Sequence, residues 1–110
     1  MGKKLKPMHL IFDSKEEAQK VIPLNTIRKI QIEGKQYCLA NCANGFVAFQ
    51  KECPHAGADL SKGNINSLGE IVCPYHAYIF DLKEGAEDRR RCKNIKIYET
   101  VWDGGKLYMR

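Results

Sequence analysis

Two short stretches constrain this chain more than anything else in it: Cys53-Pro54-His55-Ala56-Gly57 and Cys73-Pro74-Tyr75-His76. As a pattern they read C-x-H, seventeen intervening residues, then C-x-x-H. Each offers one soft thiolate and one imidazole. Each also follows its cysteine with a proline, which fixes φ and stiffens the loop beside its ligand. Four donors in a two-plus-two arrangement suit a small inorganic centre better than a catalytic triad. The chain must therefore bring two loops, distant in sequence, against one another.

Counting histidines narrows the chemistry. There are three, His9, His55 and His76, and two of them lie in these stretches. A non-haem iron oxygenase site needs two further histidines and a carboxylate, so this chain has none left for one. A serine or cysteine nucleophile needs a base, and pairing one motif cysteine with one motif histidine leaves the other pair unexplained. Two metal readings remain. Structural zinc accepts two cysteines and two histidines, but the usual finger keeps its cysteines together and its histidines together. An iron–sulfur cluster with two thiolates on one iron and two imidazoles on the other takes a mixed pair from each loop naturally.

The run Cys53-Pro54-His55-Ala56-Gly57-Ala58-Asp59-Leu60, with Cys73-Pro74-Tyr75-His76 and the following Phe80-Asp81, resembles the Rieske-type 2Fe–2S ferredoxins. The resemblance covers most of the chain, including the Gly45 hairpin before the first loop and the closing Asp103-Gly104 turn. It implies an all-β fold, a sandwich or barrel base carrying a small cluster-binding subdomain, with loops at about 53–60 and 73–81. It implies that Cys53 and Cys73 hold the inner iron of a 2Fe–2S cluster, and His55 and His76 the outer, solvent-facing iron. The function implied is one-electron transfer from a flavin reductase to a terminal oxygenase, with no substrate site in this chain. The alternatives are the small subunit of an NAD(P)H-dependent nitrite reductase or similar complex, and a zinc-stabilised interaction module.

Departures from the family pattern carry information too. High-potential Rieske proteins add a cysteine to each loop and tie the loops with a disulfide; Ala58 and Tyr75 stand at those places here. They also aim a serine and a tyrosine hydroxyl at cluster and cysteine sulfur, where this chain has Tyr78 and Phe80. Fewer donors to sulfur stabilise the reduced cluster less, so the potential is expected at the low end of the Rieske range, roughly −150 mV. The family often covers the cluster with a proline-bearing loop, and the corresponding stretch, Glu84 to Cys92, has no proline.

Around these loops the chain reads as short strands separated by glycine turns. Residues 8–12 suggest a strand, and Ser14 with Glu17 suggests a capping box opening a helical turn over Lys15 to Lys20, ended by Pro23. From Thr26 the residues alternate, with Ile30 and Ile32 facing one way and Lys29, Gln31 and Glu33 the other. Gly34 turns the chain into a return strand through Tyr37 and Leu39. Asn44-Gly45 predicts a type I′ hairpin before a strand over Phe46 to Phe49. Residues 59–70 suggest a turn-rich link without helix, and Ile71-Val72 and Ile79-Phe80 suggest strands flanking the second loop. Gly57 and Gly63 are expected to permit close backbone approach to the cluster. Gly85 to Lys93 looks polar and irregular. Ile95 to Trp102 predicts one strand, with Asp103-Gly104-Gly105 turning it into Leu107 to Met109.

At 110 residues the chain is expected to be one domain spanning 1–110, and 44% hydrophobic content with 28% charged residues argues against disorder. The net charge of +5 is spread along the chain, with a tight cluster only at Arg89-Arg90-Arg91, and no nucleic-acid module accompanies it. That cluster is read as solvated surface, or as a group docking an acidic partner or pairing with local acids. Five cysteines do not form a disulfide framework. Cys38, Cys42 and Cys92 are expected to be small hydrophobes in a reducing compartment, a Cys38–Cys42 bond being the alternative. The apolar run from Met8 to Phe12 is too short for a signal peptide or membrane span. Gly2 lacks the Ser or Thr that a myristoylation signal places at Lys6. A cytoplasmic protein without membrane or nucleic-acid partners is expected.

Overall fold

In the computed structural model, which describes residues 8–110, the alternation after Thr26 becomes strand β2 (Thr26–Ile32). Ile30 and Ile32 pack on one side of it and Ile27 on the other. Glu33 and Gly34, at φ 51 and 80, turn β2 into β3 (Lys35–Cys42) with Ile32 opposite Lys35. This is the type I′ geometry expected one hairpin later. At that next hairpin Cys42 pairs with Gly45, the loop residues are Ala43 and Asn44, and of the predicted pair only Gly45 has positive φ, at 95. A hairpin forms as expected, but its loop residues Ala43 and Asn44 lack the positive φ of a type I′ turn.

Strands β4 (Gly45–Gln50) and β8 (Ile97–Tyr98) complete a sheet of order β2-β3-β4-β8. This sheet is covered on both faces. Cys38, Ala40, Cys42, Val47 and Phe49 join one core, while Leu39, Phe46 and Ala48 join another. The second core is closed by helix α1 (Lys15–Val21) and by a sheet of order β1-β10-β9, made of β1 (His9–Phe12), β9 (Thr100–Asp103) and β10 (Lys106–Met109). The Ser14 side chain accepts from the Glu17 amide at 3.1 Å, so the helix starts where the capping signal places it. The single strand expected from Ile95 to Trp102 is instead two. β8 pairs with β4, β9 pairs with β10, and the Thr100 hydroxyl donates to the Phe46 carbonyl at 2.7 Å where the chain changes sheets.

The first core is closed by the smaller subdomain. It comprises a 3-10 turn (Leu60–Lys62) and strands β5 (Asn64–Ile65), β6 (Glu70–Val72) and β7 (Ile79–Asp81) in one sheet. The link expected to be free of helix thus contains a short helical turn, because Asp59 accepts from the Ser61 amide at 3.0 Å and the Ser61 hydroxyl at 2.6 Å. Gly63 has no room for a side chain, but what crowds it is the Val72 carbonyl, with Pro74 3.3 Å away. Gly57 has open space around it and is needed for its φ of 71. Within the protein, the Gly63 requirement comes from the Val72 backbone and the Gly57 requirement from its left-handed φ.

The two candidate loops share one backbone design. The Cys53 amide donates to the Ala58 carbonyl at 2.8 Å, and the Cys73 amide to the Tyr78 carbonyl at 2.8 Å. In each loop the residue before that carbonyl is left-handed: Gly57 at φ 71 in the first, Ala77 at φ 57 in the second. Lys29, on the Ile27 face of β2, reaches the exit of the first loop and meets Asp59 at 2.9 Å.

A left-handed alanine costs roughly 1 kcal/mol, so Ala77→Gly should raise the urea midpoint of the metal-free chain without changing the slope; a lowered midpoint would contradict this. Burial pushes the Asp59 carboxyl up, yet the bonds from Ser61 and Lys29 outweigh it and hold it at about 2. A depressed carboxyl stabilises the fold above its ordinary value of 3.8 and loses that contribution as the pH falls toward 2. Asp59→Asn should therefore cost about 1 kcal/mol at neutral pH, allowing for solvent screening. Urea titrations of both proteins at several pH values should show the gap closing below pH ~4.

Candidate metal centre

The loops deliver their four donors unequally. Cys53 and Cys73 are 1% and 2% exposed and belong to the apolar core shared with Phe49, Leu60 and Phe80. His55 is half-buried and His76 is exposed. The imidazole rings meet edge to face, with centroids 4.9 Å apart and planes at 75°. Burial pushes the Cys53 thiol up, as does the neighbouring Cys73 thiol, while the amides of His55 and Ala56 pull it down. The structure thus brings together all four residues that the sequence singles out, thiols inward and imidazoles outward.

The donors themselves fit a two-iron centre. The Nδ1 atom of His55 is buried and has no hydrogen-bond partner, an arrangement that costs free energy unless something binds there. Among the described residues no three His, Cys, Asp or Glu side chains are grouped as a single-ion site requires. The donors fall instead into a thiol pair and an imidazole pair. That division suits two irons with two protein ligands each better than a tetrahedral zinc.

Other residues around the loops lie outside the four-donor pattern. Tyr78 stacks on His55, with centroids 3.9 Å apart and planes 20° from parallel. Arg91 lies over the Tyr78 ring, its Cζ 3.6 Å from the centroid. Glu87 is completely buried and pairs with Arg91 at 2.6 Å. The Arg91 hydrogen bonds hold the Glu87 carboxyl at about 2, and Glu87 in turn raises the Arg91 guanidinium. Gly85 to Lys93 is irregular as expected, but it is not polar throughout its depth. Of the arginine cluster, Arg91 pairs with local acids while Arg89 and Arg90 are exposed. The Asp81 carboxylate turns the chain into this segment by accepting from the amides of Lys83, Glu84 and Gly85 at 3.0, 2.7 and 3.3 Å.

The remaining cysteines are free. Burial pushes the Cys38 thiol up to about 12, which leaves it an inert hydrophobe. Cys38 and Cys42 sit four residues apart on β3, a separation of about 13 Å along a strand that no disulfide can span. No helix among the described residues is long and apolar enough to cross a membrane.

Comparison with known proteins agrees with this geometry. Residues 14–99 match the family model described as the Rieske 2Fe-2S domain. Over 53 residues the chain is 36% identical to the carnitine monooxygenase oxygenase subunit of Escherichia coli (strain K12), covering 48% of this chain and 14% of that protein. The chain therefore spans only a small part of the length of such relatives. Among solved structures, the ferredoxin of carbazole 1,9a-dioxygenase from Nocardioides aromaticivorans IC177 superposes with a TM-score of 0.76 at 21% identity, covering 96% of this chain and 97% of that one. A protein described as a candidate small subunit of an NADPH nitrite reductase superposes with a TM-score of 0.77 at 18% identity, covering 96% and 99%. With the family match extending over most of its length, the chain belongs to the Rieske 2Fe–2S domain family, whose cofactor is a 2Fe–2S cluster.

Proposed function

We propose that this chain is a one-electron carrier in which Cys53 and Cys73 hold one iron of the cluster and His55 and His76 hold the other. The observation that supports this most directly is the asymmetry of burial: both thiols lie within the core, and the imidazole pair faces outward. The bound cluster supplies a one-electron redox couple. The chain's own residues hold it, shield its thiolate side from water, and present its histidine side to a partner. The partners proposed are a flavin reductase as donor and a terminal oxygenase as acceptor, in a reducing, cytoplasmic setting. The similarity to a dioxygenase ferredoxin over nearly its whole length supports that choice.

Anaerobically reconstituted protein should contain about two irons and two acid-labile sulfides per chain, and Cys53→Ser or His76→Ala should lose both. Stoichiometric zinc without sulfide would overturn the assignment. The carrier should purify apart from its partners and exchange electrons with them in a manner weakened by salt. A large subunit that co-purifies stably would establish the reductase-subunit reading instead.

The potential should lie at the low end of the family range, about −150 mV. Phe80 is fully buried and has no hydroxyl, and Tyr78 lies flat on His55. A midpoint above zero in an electrochemical titration would contradict this.

A further inference from the structure

Behind the imidazole pair lies a stack of side chains that the ligand motif does not include. Tyr78 covers His55 at 3.9 Å, and the Arg91 Cζ stands 3.6 Å from the same ring centroid. Two planar groups that close to one centroid cannot share a face, so the Tyr78 ring is sandwiched between imidazole and guanidinium. The guanidinium is itself held. Its Nη2 donates to Glu87 Oε2 at 2.6 Å, and its Nε donates to Oε1 and Oε2 at 3.2 and 3.1 Å. The Arg91 amide donates to Glu87 Oε1 at 2.6 Å. Glu87 is anchored in turn to β7 by a bridge opposite Phe80, and the Asp88 amide donates to the Ile79 carbonyl at 2.9 Å. A continuous series of short contacts runs from β7 to the ring of His55.

Burying a carboxylate completely is expensive, and one paired with a half-exposed arginine gives little back as a stability device. The placement makes sense if the pair serves the ring beneath it. A metal-bound imidazole is usually oriented by a hydrogen bond from its second ring nitrogen. Here stacking on Tyr78 fixes the flat face of His55, and the buried, unpartnered Nδ1 is the ring atom left for a metal.

We propose that Tyr78, clamped by the Glu87–Arg91 pair, is a positioning residue that fixes the plane of the His55 imidazole, and that the charges of the pair bias the potential of the centre. This rests on the reading of His55 as an iron ligand. Cationic charge beside the histidine side favours the reduced state, and anionic charge opposes it. The two members of one ion pair are thereby given opposite effects.

The test uses reconstituted holoprotein: wild type, Arg91→Gln, Glu87→Gln and Tyr78→Leu. Midpoint potentials and the EPR g-values of the reduced protein are measured, together with the rate of labile-sulfide loss. Arg91→Gln should lower the midpoint and Glu87→Gln should raise it. Tyr78→Leu should shift the g-values and speed sulfide loss about tenfold. Loss of the pair as mere packing would move both charge variants in the same direction or not at all, and that result overturns the proposal. If Tyr78→Leu cannot be loaded, the signs of the two charge variants decide alone. Pulsed EPR on the wild type separates the two readings. Absence of imidazole-nitrogen coupling would overturn the ligand assignment itself, whereas normal coupling with unshifted midpoints and g-values would overturn the positioning and charge roles and leave the ligand assignment standing.

Discussion

The core that joins the central sheet to the smaller subdomain contains two cysteines that are core residues first. Cys53 and Cys73 sit among Phe49, Leu60, Ile71 and Phe80, and the same core takes Cys38, Ala40 and Val47 from the central sheet. The loops are therefore not appended to a finished sandwich; their thiols help fill the layer between the two sheets. A thiol in such surroundings resists ionisation, and burial pushes the Cys53 thiol up. On the proposed assignment, metal bound there would displace protons as well as organise donors. The equal closure of both loops, each cysteine amide bonded to the carbonyl five residues on, keeps the donors in register while this happens.

Among the described residues, two charge pairs are placed where they constrain the loops. Lys29 to Asp59 ties the exit of the first loop to β2, and Arg91 to Glu87 ties the segment after β7 to the ring of Tyr78. The pairs Lys51–Glu52 and Arg110–Glu99, at 3.8 and 3.7 Å with acids more than half exposed, contribute little. The net charge of +5 is thus mostly surface. The cations that matter to the centre are identified by what they touch, not by how they cluster in sequence.

The ligand loops, the hairpin periodicity of β2 and the capped helix were all legible in the residues, because each depends on short-range rules. What was not legible depends on three-dimensional neighbours. β3 and β4 do not alternate cleanly, since both of their faces are buried, against the ligand loops and against α1. The break between β8 and β9 leaves no turn signal; it is set by the Thr100 hydroxyl reaching Phe46. Gly63 reads as a residue allowing close approach to a cluster, and nothing in the sequence signals that the Val72 carbonyl requires it. Glu87 looks like one more acid in a polar run, and its burial follows only from the folding of that run back over β7. Ala77 gives no hint of its left-handed backbone, which the shared loop geometry imposes at the place of Gly57.

The placement of the imidazoles follows from the same constraint that buries the thiols. Each loop spans only a few residues between its ligands, so a cysteine fixed in the core leaves its histidine little choice but the outer side. The one-residue spacer in Cys53-Pro54-His55 keeps His55 half-buried, and the two-residue spacer in Cys73-Pro74-Tyr75-His76 carries His76 into solvent. The two rings are therefore not equivalent. His55 is enclosed by Tyr78 on its face and His76 at its edge, which makes it the ring whose orientation the protein can control. His76 is the ring that a partner can approach, beside the exposed Tyr75 at 69% accessibility. One histidine thus answers to the interior and the other to the surface, and a carrier needs both.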